Sequence, residues 1–116
     1  MKIIAILFAV VAFPAFARND ASTADAKTVS LAWEDARNPT GASYAVYRSN
    51  SVCSVTSLFV KVASVPAKSF DDTNLAPGNY CYRVTAGMNG LESSPSNSVD
   101  VAIPLHPPVA LSAVVK

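Results

Sequence analysis

The feature that most restricts this chain is a period of two. Between residues 28 and 103, short segments alternate apolar and polar side chains. In TVSLAWE, Val29, Leu31 and Trp33 alternate with Thr28, Ser30, Ala32 and Glu34. In SYAVYRS, Tyr44 and Val46 alternate with Ala45 and Tyr47, and in LFVKVASV, Val60 and Val62 alternate with Lys61 and Ala63. KSFDDT holds a short strand at Phe70; residues 79–87 put Tyr80, Tyr82, Val84 and Ala86 on one face; NSVDVAIP does the same with Val99, Val101 and Ile103. Successive side chains of a strand point to opposite faces, so each segment reads as a strand with one buried side. No helical stripe at i, i+3, i+4, i+7 runs through this region. Pro, Gly, Asn and Ser separate the segments, which predicts an all-β, antiparallel sandwich around one core.

The N-terminus has a different character. MKIIAILFAVVAFPAFA opens with Lys2, continues with an apolar run and ends in Ala15-Phe16-Ala17. A basic start, a short apolar segment and an A-x-A end make up a secretory signal peptide, residues 1–17. The apolar stretch of about 15 residues falls short of the ~20 that a membrane-spanning helix needs. No cysteine follows Ala17 to take a lipid, so no membrane attachment is expected after cleavage. A polar leader, residues 18–27, then precedes the domain proper, residues 28–104, and a Pro-rich linker with a strand-like tail, residues 105–116.

Charge excludes some partners. The chain has nine Lys and Arg against eight Asp and Glu, and without Lys2 the two are equal. A neutral chain with no basic cluster is not built for nucleic acid or for an anionic membrane. Two cysteines, Cys53 and Cys81, in a chain bound for an oxidising space favour a disulfide. A metal pair or redox dithiol needs C-x-x-C spacing or histidine partners; the spacing here is 28 and the one histidine, His106, stands among prolines. The carboxylate pairs Glu34-Asp35 and Asp71-Asp72 lie at strand ends, where acidic residues face solvent, and neighbours on a strand point apart. With no phosphate loop and no metal cluster, no catalytic residue, metal or cofactor is expected.

VSLAWE, YAVYRS, FVKVASVP, SFDDTNLAPGNYCYRVTA and LESSPSNSV together resemble a fibronectin type III domain of bacterial and phage type. The likeness covers residues 28–104 and implies an immunoglobulin-like sandwich of about seven strands. It implies a core built on Trp33, Tyr44, Val46, Tyr82 and Val84. Leu75, Pro77 and Tyr80 match the family's turn into its F strand, where a tyrosine hydroxyl ties back to the connecting backbone as a tyrosine corner. The turn here is one residue shorter than the usual L-x-P-G-x-x-Y. The family's C and F strands are antiparallel neighbours, which would bring Cys53 and Cys81 together on the outer side of that sheet.

Such modules bind or space rather than catalyse, and binding falls to loops at the sandwich ends. The candidates are Asn38 and Thr40 between the second and third strands of the family, and Met88, Asn89 and Leu91 in a tight turn that exposes Met88 or Leu91. No Arg-Gly-Asp sequence is present, and Tyr47 alone is slim support for sugar binding. The family's first strand, of form P-x-x-L-x-A-x-V, is missing before Thr28. The pattern instead recurs in the tail, where Val109, Leu111, Ala113 and Val115 alternate after Pro108. The tail is a remnant of a tandem protein, a strand folding back on its own domain, or a strand donated to a second copy. The functional expectation is a secreted, extracellular or periplasmic module that binds a protein or glycan. One alternative is a structural subunit assembling head-to-tail into homo-oligomers through its C-terminal strand. Another is an accessory domain of a secreted polysaccharide-degrading system.

Overall fold

The structure, a computed structural model, describes residues 5–12, 26–55 and 58–116. These contain eight strands: β1 (Ala5–Ala12), β2 (Lys27–Asp35), β3 (Ser43–Ser49), β4 (Val60–Val65), β5 (Ser69–Leu75), β6 (Gly78–Met88), β7 (Leu91–Glu92) and β8 (Val99–Ile103). They form two antiparallel sheets, one ordered β1-β2-β5 and the other β4-β3-β6-β7, with β8 also paired to β6. Of the polar leader, residues 18–27, residues 18–25 lie outside the described residues, and Lys27 instead opens β2 and is buried.

Alternation sets the core. Val29, Leu31 and Trp33 of β2 face Tyr44 and Val46 of β3, Tyr80, Tyr82, Val84 and Ala86 of β6, and Val101 and Ile103 of β8 across one apolar cluster. Trp33 meets Tyr44 edge to face, with ring centroids 5.6 Å apart, a geometry that matches the positive ring edge to the negative face.

Two irregularities break the period and correct the reading of single residues. In β4 a register shift opposite Val46 and Tyr47 adds a residue. Val62, Ala63 and Val65 pack on the core, while Val60 is left 63% exposed. Val60 and Val62 therefore do not share a buried face. In β5 the pairing with β2 also shifts, and Asn74 takes the left-handed conformation with φ 59°. Asn tolerates that region because its short polar side chain bonds locally. The added residue lets Asp72 and Leu75, three apart, both turn inward.

The carboxylates correct a second expectation. Glu34 and Asp71 are exposed, but Asp35 and Asp72 are buried. Asp35 accepts hydrogen bonds from the Tyr44 hydroxyl at 2.9 Å and from the Asn38 side chain at 2.7 Å. Asp72 accepts from the Tyr82 hydroxyl at 2.7 Å and from the Arg48 guanidinium at 2.8 Å. An acid at a strand end faces solvent only when no buried donor claims it, and each of these is claimed by a core tyrosine.

These contacts give the fold a pH dependence. Burial, then the Asp35 hydrogen bond, pushes the Tyr44 hydroxyl from 10.0 up to about 12. Burial, then the bond to Asp72, pushes Tyr82 higher still. Both folded values are raised, so the stability they contribute is full below about 10 and is lost as pH rises through the folded values. The melting temperature should hold to about pH 10, the ordinary tyrosine value, and then fall. Tyr44→Phe should flatten the first part of that fall, and a flat profile to pH 12 in the wild type would show the hydroxyls to be solvated. At the other end, burial works against the Asp35 charge, but bonds from Asn38, Tyr44 and Arg37 outweigh it and hold the carboxyl below its ordinary 3.8. Its contribution is present above that value and lost as pH falls through the lower folded one.

An edge strand beside β2 was not legible before residue 28, yet β2 is covered. Residues 5–12 pair with it antiparallel from Ala5 opposite Asp35 to Ala12 opposite Thr28. Leu7 is buried in the core cluster, Ala9 packs against it, and the Leu7 amide donates to Asn97 Oδ1 at 2.9 Å.

Candidate functional site

Strand β6 organises the outer face of the larger sheet. Its inward residues fill the core, so Cys81, Arg83 and Thr85 point the other way. Cys81 stands opposite Ser49 on β3, and Cys53, just past the end of β3, reaches it in a disulfide with a Cα–Cα distance of 5.1 Å. The Cys53 amide also donates to the Asp100 carboxylate on β8 at 2.5 Å. Residues 50–55 are thereby held against the outer face, which explains why outward-pointing Cys81 is fully buried. Cys53, Cys81 and Asp100 place potential ligand atoms within 4.8 Å of one another, but both sulfurs are spent in the disulfide.

The strapped segment forms one wall of a shallow groove of about 570 Å³. Val55, Leu58 and Phe59 line that wall, with Tyr47 and Arg83 on the floor. The Arg83 guanidinium lies 3.9 Å from the Phe59 ring centroid, stacked as a cation on an aromatic face. Leu58 is 88% exposed and Val55 is more than half exposed. A second depression of about 290 Å³ continues from Tyr47 toward Thr85 and Glu92. There the Tyr47 hydroxyl donates to Glu92 Oε2 at 2.6 Å, and Thr85 donates to the same oxygen at 2.7 Å. The bonds from Tyr47 and Thr85 hold the Glu92 carboxyl below its ordinary range, and the bond to Glu92 pushes the Tyr47 hydroxyl up. The face thus offers apolar contact, a stacked cation and a fixed carboxylate within one strip.

The sequence-predicted positions fall elsewhere. Asn38 is half-buried, its amide and side chain both bonded to Asp35, while Thr40 is exposed. Asn89 and Gly90 take φ 54° and 77°, the two positive values of a type I′ hairpin turn between β6 and β7. Leu91 is exposed, but Met88 packs against the core and would touch a Cβ built on Gly41 at 3.5 Å. Met88 is therefore part of the sandwich end rather than an offered side chain: the short turn fixes its register inward.

At the turn into β6, Leu75 is buried and Pro77 exposed, and the Tyr80 hydroxyl donates to the Ala76 carbonyl at 2.6 Å. After β7, Ser93 and Ser96 keep the chain on β6. Each amide donates to a β6 carbonyl and each hydroxyl accepts from the amide of the same β6 residue, Ala86 or Val84. Trp33, Tyr44, Val46, Tyr82 and Val84 all lie in the core cluster, and Val109, Leu111, Ala113 and Val115 are exposed in the tail, where Ala110 takes φ 60°.

Sequence reasoning missed the outer face. Arg83 and Thr85 were readable as the residues opposite Tyr82 and Val84 in period, but Phe59 and Leu58 reach the groove only because the disulfide folds their segment across it.

Two sheets packed face to face, a tyrosine tied back at the turn into β6 and strands β3 and β6 as neighbours decide the architecture. The fold is that of a fibronectin type III domain. A solution structure of such a domain from human KIAA0970 protein aligns over 99% of this chain and 85% of its own, with TM-score 0.63 and 17% identity. A Fn3-like protein from Clostridium thermocellum aligns over 69% of this chain and 80% of its own, with TM-score 0.54 and 26% identity. Domains A168–A170 of titin align over 67% of this chain, TM-score 0.55 and 19% identity, and the chain spans 27% of that segment's length. No protein-family model matches the sequence, and no curated relative does.

Proposed function

We propose that this fibronectin type III chain is a secreted, non-enzymatic binding module that presents the outer face of its larger sheet to an extracellular protein. One observation carries the reading: exposed Val55 and Leu58 gather beside the Arg83–Phe59 stack and Tyr47. Clustered exposed apolar side chains mark contact surfaces, and arginine and tyrosine are the residue types that carry interface energy. The disulfide supports an oxidising compartment. No helix among the described residues is long and apolar enough to cross a membrane.

Selection of a displayed peptide library on the exported protein tests this. Peptides enriched on the wild type should lose at least tenfold in affinity, about 1.4 kcal/mol, on Leu58→Asp with Arg83→Glu, which alters only the face. Binders indifferent to both substitutions would place the contact elsewhere. Binding to a glycan array that Tyr47→Ala abolishes would replace the protein partner with a sugar.

A further inference from the structure

The pattern L-x-A-V-V occurs twice in this sequence, as LFAVV at residues 7–11 and as LSAVV at residues 111–115. The first copy is the middle of β1. The second lies in the C-terminal tail, where every residue from Pro104 to Lys116 is exposed and Leu111 is 95% so. We infer that the slot beside β2 held by residues 5–12 is a docking site for the C-terminal tail of a second copy of this chain, entered once the leader is gone. The inference rests on the secreted reading, in which cleavage after Ala17 removes β1.

Without β1, the β2 backbone from Thr28 to Asp35 loses its antiparallel neighbour on that side. An open edge beside an apolar core is a template for another strand. The tail carries the same side chains in the same order at four of the five positions. Aligning the two copies places Leu111 where Leu7 stands opposite Trp33, Ser112 opposite Ala32, Ala113 opposite Leu31 and Val115 opposite Val29. Leu7 and Ala9 reach the core, and leucine and alanine recur at both places. At the position facing exposed Ala32, phenylalanine is replaced by serine, which suits a solvent-facing site.

Polarity selects a second copy over the chain's own tail. The hydrogen bond from Leu7 to Asn97 joins the start of β1 to the approach to β8, so both strands begin at the same end and run the same way. The tail leaves β8 at the far end, after Ile103. To reach its own slot it would have to turn back and lie parallel to β2, in a slot whose ladder is antiparallel. Entering the next molecule at the end where its β1 would begin, it keeps the antiparallel direction. Pro104, Pro107 and Pro108 favour an extended spacer over a reversal.

The test begins with the N-terminal mass of the exported protein, then measures its weight-average mass by sedimentation across a concentration series. A chain starting at Arg18 whose mean mass at least doubles, while Leu111→Asp stays monomeric, supports the inference. Register is read separately by mixing Ala32→Cys protein with Ser112→Cys protein, both positions being exposed. A mixed dimer joined by a disulfide, formed on air oxidation and released by a thiol reductant, is expected, and it is absent when either variant is mixed with wild type alone. Retention of residues 1–17 would overturn both this inference and the cleavage it rests on. A cleaved chain that stays monomeric, or associates unchanged with Leu111→Asp, would overturn the docking alone. So would a second disulfide formed within single chains that carry both Ala32→Cys and Ser112→Cys, since that places the tail in its own slot.

Discussion

Replacing Trp33 by alanine should lower the unfolding free energy by about 3–5 kcal/mol. Trp33 is the largest apolar side chain on β2, it is 3% exposed, and it sits edge-on against Tyr44 in the cluster joining both sheets. Truncation removes its transfer free energy and leaves a cavity that two hydrogen-bonded ladders, β2–β5 and β3–β6, resist closing. Domains of this size hold only ~5–15 kcal/mol in total, so much of the margin is at stake. The indole Nε1 is buried and has no hydrogen-bond partner. Trp33→Phe therefore forfeits no hydrogen bond and removes a buried donor whose desolvation costs about 1–3 kcal/mol; it should cost far less than alanine. Urea unfolding at 25 °C separates the two. An alanine variant with an unchanged midpoint would mean that β2 presents its other face.

That prediction could be made from the sequence because β2 is regular. Thr28 to Glu34 alternate without interruption, and the same holds for Tyr80 to Ala86 and Val99 to Ile103; the period gives the inward face of each strand, and burial departs from it at Cys81 and Thr85, which are buried on the outer side. The reading failed where one residue is added. The shifts in β4 and β5 change phase within a strand, and no local pattern in VKVASV or SFDDTNL announces them, since they are set by pairing with a strand far along the chain. Asp35 and Asp72 were misplaced for a related reason: their partners, Tyr44 and Tyr82, are 9 and 10 residues away on other strands. The β1 segment was hidden by its composition, because an apolar run that suits a signal peptide equally suits an edge strand. In the candidate site, Tyr47 was visible by period, whereas its neighbours Phe59 and Leu58 depend on a covalent strap that had to be placed in space first.

Removing that strap should be the second large effect. The Cys53–Cys81 bond joins residues 28 apart, and opening a loop of this length should destabilise the domain by roughly 3–4 kcal/mol in the chain-entropy model. Cys53→Ala with Cys81→Ala is the appropriate variant, since Cys81 is fully buried and alanine brings no polar atom there. Thiol labelling of unfolded, unreduced wild-type protein should find no free sulfhydryl; two per chain would show that the bond does not form. The consequences divide by region. The bond acts on the denatured chain as a whole, but in the folded state it also holds residues 50–55, whose tie through the Cys53 amide to Asp100 is a single hydrogen bond. Hydrogen exchange in the folded variant should therefore quicken first in that segment, while β2 and β5 amides change only by the global loss. The groove wall of Val55, Leu58 and Phe59 would loosen with it, so peptides selected on the wild-type face should bind the variant more weakly even where it is fully folded. Equal exchange along the whole chain, with binding intact, would confine the bond's role to the unfolded state and leave the groove standing on its own packing.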